Sequence, residues 1–231
     1  MECKNCQKEG EGDYCSHCGQ RFQISPISLK AVVQDFFQAL NLERGFLHTL
    51  IELSKSPGKA IREYVAGKRI IYMSPLRYLF FMVAIGALAS YFVSFDVMFD
   101  GEVDDQQTIN SFKEAENIIK EYFSLISIIS VPFYALFSWL FFLKHKQNFA
   151  KHLVVNAYVT AHNNLIFLML LPFYMQTNKT IYLIGNYGIL VLSTIYIIWV
   201  YIQYFNPKYK LLTGFKALLV YLLTSVVTQF G

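Results

Sequence analysis

Acidic side chains vanish after Glu121: residues 122–231 hold no Asp or Glu, while seven lysines (Lys144, Lys146, Lys151, Lys179, Lys208, Lys210, Lys216) remain there. That absence removes carboxylate acid–base pairs and carboxylate ion relays from this part of the chain. Cysteine is absent after Cys18, which excludes a disulfide framework running through the protein. Charge of either sign is scarce, at 16% of 231 residues, against about 25% in a soluble domain. His-Glu-x-x-His, Gly-x-Ser-x-Gly and phosphate-binding glycine loops are also missing, so no catalytic motif points to an enzyme. The opening Met1-Glu2-Cys3-Lys4-Asn5-Cys6 lacks the basic stretch and apolar run of a cleavable signal, and the N-terminus is expected to stay unexported.

What is present is apolar and arrives in long blocks: 55% hydrophobic and 17% aromatic residues. Blocks of about 20 residues at 1.5 Å each match the roughly 30 Å hydrocarbon thickness of a bilayer. They are expected as spans over 76–95, 122–143, 153–175, 182–205 and 211–230, with Pro132 and Pro172 marking kinks rather than ends. Lys216, near the start of the last block, is expected to snorkel to the headgroups. The fold class is therefore an all-α polytopic membrane protein with about five transmembrane helices. Ahead of them come a small zinc ribbon over 1–23 and amphipathic cytosolic helices over 24–75, the transmembrane bundle occupying 76–231.

In the juxtamembrane stretch, Ser28 can cap a helix whose apolar stripe is Leu29, Val32, Val33, Phe36, Phe37 and Leu40. A second helix begins near Phe46 after a break at Gly45. Ser56-Pro57 then reads as N-cap and first position of a third, stopped by Gly67. After the first span, the spacing of 112, 115, 118, 119 and 122 predicts a helix running straight into the next one.

Cation placement gives the spans a direction. Under five crossings, seventeen lysines and arginines fall on one side and three (Lys113, Lys120, Lys179) on the other. The positive-inside rule then puts the N-terminus in the cytoplasm and the C-terminus outside (periplasmic, if the membrane is a bacterial inner one), or inside if the fifth block does not cross.

Cys3-x-x-Cys6 and Cys15-x-x-Cys18 are two knuckles eight residues apart, each offering two thiolates from one tight turn. Two such turns close a tetrahedron, and the set is expected to hold one structural zinc with no ligand position left for water. Disulfides, a redox Cys-x-x-Cys and an iron–sulfur cluster are weaker readings in a cytosolic segment this short. His17 is expected on the surface. With about twenty residues and no core, the ribbon would take its folding energy from the metal.

Residues 44–80 include Arg44-Gly45-Phe46, Pro57-Gly58-Lys59, Ile61-Arg62-Glu63-Tyr64, Gly67-Lys68-Arg69, Tyr72 and Ser74-Pro75-Leu76-Arg77-Tyr78-Leu79-Phe80. With the preceding tetracysteine knuckle, this resembles a family of uncharacterised bacterial membrane proteins common in Bacteroidota. The resemblance implies a bacterial inner-membrane protein and carries no reaction with it. The layout of cytosolic helices followed by five spans is also similar to the Yip1 membrane-trafficking superfamily.

Read from the residues, Lys55, Lys59, Arg62, Lys68, Arg69 and Arg77 form a cationic run expected to meet anionic headgroups at about 1 kcal/mol each, or simply to fix topology. Ile61, Tyr64 and Val65 would then dip into the leaflet. Inside the spans, Asn156, His162, Asn163, Asn164 and Asn186 make a candidate polar site, set against the plainer reading of hydrogen bonds that hold helices together. Expected partners are the bilayer, its anionic headgroups, a cytosolic protein at the zinc ribbon and further copies of the chain, with nucleic acid disfavoured. The leading function is a non-enzymatic scaffold or adaptor. The alternative is a small transporter or channel-like protein using His162, Asn163 and Asn164, and a lipid-processing enzyme comes third. Topology reporters fused at Asp104, Gln147, Asn178 and Lys208 should read outside, inside, outside, inside; any other order breaks the five-span arrangement.

Overall fold

The structure is a computed structural model and describes residues 1–3, 6–19, 22, 45–93, 106–176, 178–205 and 208–230. The helix expected from Ser28 to Leu40 and the acidic stretch 96–105 lie outside these residues. The chain divides into two compact units, Met1–Glu43 and Arg44–Gly231. Among the described residues, the first unit carries one isolated bridge, Glu2 to Glu9, and the second seven α-helices.

These helices are α1 (Leu47–Lys55), α2 (Pro57–Val65), α3 (Pro75–Ser90), α4 (Gln106–Phe141), α5 (Phe149–Tyr174), α6 (Lys179–Tyr204) and α7 (Lys210–Phe230). Four are long and apolar enough to cross a membrane: Lys120–Phe141 within α4, α5, α6 and Lys210–Val227 within α7. α3, in the place of the first expected span, is apolar but shorter at 16 residues, about 24 Å. Helical spacing from 112 does feed directly into a span, and α4 starts still earlier, at Gln106. Pro132 and Pro172 both sit inside continuous helices.

α4, α5, α6 and α7 pack as a ring: α4 on α5, α5 on α6, α6 on α7, and α7 back on α4. α3 lies outside the ring against α5 and α4, while α2 lies against α6 and α5. The loops at one end of the ring come together through a Tyr204–Gln147 hydrogen bond of 2.9 Å and a Phe142–Phe205 stack at 4.2 Å. Lys216 does not snorkel away from this end. Its Nζ donates to the Phe141 carbonyl at 2.8 Å and sits 5.4 Å over the Phe142 ring, so it caps the C-terminus of α4, where a cation meets unsatisfied carbonyls.

α1 and α2 are docked on protein. Ile61 and Ala60 are buried, with Tyr64 and Val65 packed beside them on the same core. The apolar face expected to enter lipid is thus occupied by α5 and α6. Ser56 stands at the N-cap with Pro57 at the first position, but its side chain makes no capping bond. Gly67 ends the helix with φ +113°, a conformation that L side chains rarely adopt. Gly45 has a different use from the expected break: a Cβ there would meet the Met73 nitrogen at 2.9 Å, so it allows close approach of the chain before α3.

Gly58 is the tightest point of this docking. Its N–H donates to Gln203 Oε1 at 3.0 Å, and a Cβ would lie 2.7 Å from the Gln203 carbonyl carbon and the Tyr204 nitrogen. Backbone cannot yield as a side-chain tip can. Gly58→Ala should therefore destabilise the protein by about 1–3 kcal/mol in detergent unfolding. Gly188→Ala is the control: its added methyl meets only Leu170 Cδ1 at 3.6 Å and should be neutral or mildly stabilising.

Candidate functional site

The tetracysteine segment is shaped by two repeated turns. Gln7 N–H donates to the Cys3 carbonyl and Gly19 N–H to the Cys15 carbonyl, both at 2.8 Å. In each knuckle the residue after the second cysteine has positive φ: Gln7 at 59° and Gly19 at 73°. All four sulfurs lie within 4.8 Å of one another, with Cys3–Cys18 at 3.5 Å and Cys6–Cys15 at 3.6 Å. Tetrahedral ligands at a Zn–S distance of 2.3 Å would stand about 3.8 Å apart, so the sulfur cage fits a metal of that size. The cysteines are free thiols rather than disulfides. Backbone N–H groups of Cys18 and His17 lower the Cys15 thiol, favouring the thiolate a metal needs. His17 stands outside the cage, accepting from Lys8 Nζ at 2.7 Å.

The five polar residues of the spans do not form one site. Successive helical residues point about 100° apart, so His162, Asn163 and Asn164 face three directions. His162 faces α1 and α3. Its Nδ1 is 3.0 Å from the Tyr78 hydroxyl and its Nε2 is 3.2 Å from Ser54 Oγ, with the Tyr196 ring stacked at 4.9 Å.

Proton inventory fixes the direction of this chain. Ser54 donates its single hydroxyl proton to the Leu50 carbonyl at 2.7 Å, so it can only accept from His162. His162 then carries a proton on Nε2, and in its neutral form accepts at Nδ1 from the Tyr78 hydroxyl. The chain Tyr78, His162, Ser54, Leu50 carbonyl is closed, with every proton used and a backbone oxygen at its end. It links α3, α5 and α1.

Beside it run further ties. Tyr158 donates to the Met73 carbonyl at 2.6 Å, Met73 N–H to Thr49 Oγ1 at 2.8 Å, and Tyr196 to the Leu53 carbonyl at 3.3 Å. Tyr78 lies in the stretch that carries the family resemblance, but nothing in the sequence marked Thr49, Ser54 or Tyr78 as hydrogen-bond partners of these groups. Only the closed structure reveals them.

Asn156 belongs to another network. It accepts from Tyr201 at 2.7 Å and donates to Ser138 Oγ at 3.0 Å, joining α4, α5 and α6. Ser138 also meets His152 Nδ1 at 2.9 Å. His152, one turn before Asn156, could have been found by that spacing. Asn164 donates to the Thr160 carbonyl, and its Oδ1 lies where a Cβ on Gly86 would be, so α3 approaches α5 there. Asn163 faces two cavities inside the ring, one shared with Asn164 and the other with Asn186.

All six cations of the juxtamembrane run are exposed, and three have protein partners. Arg62 donates to the Gln203 carbonyl, Lys68 pairs with Glu63 at 3.1 Å, and Arg69 lies 5.6 Å over Tyr64. Lys68 and the Tyr72 hydroxyl hold Glu63 below the usual carboxylate range, which fixes the loop from α2 to α3.

Fold and sites thus define a helical protein with four helices fit to cross a membrane and a four-cysteine cluster that could hold a metal. The family described as "Protein of unknown function (DUF3667)" matches residues 43–86, which supports a place in an uncharacterised family. The match covers α1, α2, the connection and most of α3. No curated protein and no solved structure matches the chain.

Removing the Tyr78 proton tests the clasp. Tyr78→Phe leaves His162 Nδ1 without a donor and should lower stability by about 1–2 kcal/mol. Ser54→Ala combined with Tyr78→Phe should cost less than the two single losses summed, read by a double-mutant cycle on thermal unfolding.

Proposed function

We propose that this protein is a multi-pass adaptor of the bacterial inner membrane, carrying a structural zinc in a cytosolic N-terminal module and offering that module to a protein partner. The observation that carries this reading is the saturated Tyr78–His162–Ser54 chain. The one histidine expected to move protons in the spans is held as a strut, which favours a platform over a relay. A closed four-thiolate cage supports a structural role for the metal, since no ligand position is left for water.

Orientation follows from charge. The hydrogen-bonded end of the ring collects Lys144, Lys146, Lys151, Lys208, Lys210 and Lys216, joined there by Lys59 and Arg62 of α2. The positive-inside rule places this end in the cytoplasm. Lys59 and Arg62 would then stand at headgroup level, where anionic lipid attracts them while Ile61 stays within the protein; Lys55 and Arg77, beside Ser54 and Tyr78, stand instead at the height of His162. α3, continued by the described turn to Val93, serves as the fifth crossing.

Metal analysis and complementation test the proposal together. The purified full-length protein should carry one zinc per chain. Cys15→Ser with Cys18→Ser should lose the metal and fail to rescue a deletion phenotype while still inserting at normal abundance. Absence of zinc, metal retained after both changes, or full rescue by the metal-free variant would each count against the adaptor reading.

A further inference from the structure

The ring of α4, α5, α6 and α7 is polar at mid-height. One cavity of about 270 Å³ is lined by Ser127 and Ser130 of α4, Thr160 and Asn163 of α5 and Ser193 of α6. A second, of about 400 Å³, shares Asn163 and Ser193 and adds Asn186, Tyr187 and Tyr221. Thr160 is only 8% exposed and its Oγ1 has no hydrogen-bond partner, and Asn163 Oδ1 is buried without one as well. Buried polar atoms of that kind cost about 1–3 kcal/mol each when nothing meets them. Two side by side on adjoining cavities point to a ligand that supplies protons.

The surroundings narrow its chemistry. No charged side chain lines either cavity, so an ionised group would enter uncompensated. Tyr187 lines the second cavity and also stands on the apolar outer face of α6, with Leu183, Ile184, Gly188 and Val191. Tyr187, Ile184 and Val191 are more than half exposed, on the surface that would face lipid. The apolar outer face of α6 therefore adjoins a neutral, polar-lined cavity at the depth of the acyl chains, with Tyr187 at their border.

We propose that this cavity and the adjoining face of α6 bind a neutral hydroxyl-bearing lipid, with its chain along α6 and its hydroxyl donating to Asn163 Oδ1 or Thr160 Oγ1. The site is independent of the zinc module and of the His162 clasp.

Photolabelling in phosphatidylcholine nanodiscs tests this on the full-length chain, with three diazirine probes of equal length: a long-chain alcohol, the matching carboxylate and the matching alkane. The alcohol should label saturably, map to α5 and α6, and be displaced by unlabelled hexadecanol but not by glycerol. Asn163→Leu should cut saturable labelling about tenfold, the loss of one hydrogen bond of roughly 1.4 kcal/mol. It should also unfold at the native temperature or above, because it removes an acceptor that has no protein partner. Thr160→Val, which removes the other acceptor at nearly constant volume, should weaken labelling in the same direction and decides the matter if Asn163→Leu fails to fold. Equal labelling by the alkane or carboxylate, displacement by glycerol, or native labelling of Asn163→Leu and Thr160→Val would overturn the proposal.

Discussion

A helix that carries His152, Asn156, His162 and Asn164 into an apolar bundle must find partners for those groups, and the arrangement of the other helices follows from that need. Water satisfies such groups at no structural cost; hydrocarbon does not. α5 is therefore surrounded on its polar sides. Ser138 of α4 and Tyr201 of α6 meet one end of its polar face. Tyr78 of α3 and Ser54 of α1 meet the middle. The aromatic rings do double duty here, filling space with their faces and satisfying polar atoms with their hydroxyls.

This need also accounts for the short α3. Met73, just before α3, meets Tyr158, nine residues into α5 and about 13 Å along it. α1, α2 and the connection to α3 occupy the height that α3 leaves open, and their buried residues Leu53, Ile61 and Tyr72 continue the core of the bundle. The stretch matched to the uncharacterised family is thus one packing device, a broken column against α5 and α6.

Much of this was legible beforehand. Long apolar blocks gave α4 to α7, because unbroken hydropathy needs no knowledge of neighbours. The knuckle spacing gave the sulfur cage, because two short turns dictate it locally. The clasp was not legible: Ser54 and His162 are 108 residues apart, and nothing in either neighbourhood marks the pair. Periodicity identified the apolar face of α2 correctly but could not say what covers it, since lipid and a protein groove select the same side chains. Lys216 was legible as a cation at a span end, but its protein partner, the C-terminus of α4, was not, since a lone cation there suits a headgroup and a helix C-terminus equally well. Grouping Asn156, His162, Asn163, Asn164 and Asn186 by depth ignored rotation about the helix axis, which separates them.

The clasp has a bearing on how the chain is made. Ribosomes deliver the N-terminal end first, so α1, α2 and α3 leave the tunnel before the histidine and the glutamine carbonyl that anchor them have been synthesised. Until α5 and α6 arrive, Ile61 and its neighbours have only the membrane surface to lie on. The amphipathic pattern legible in that stretch describes this waiting state as well as the finished one, and its hydrogen bonds to α5 and α6 close only over sequence separations of 84 to 145 residues.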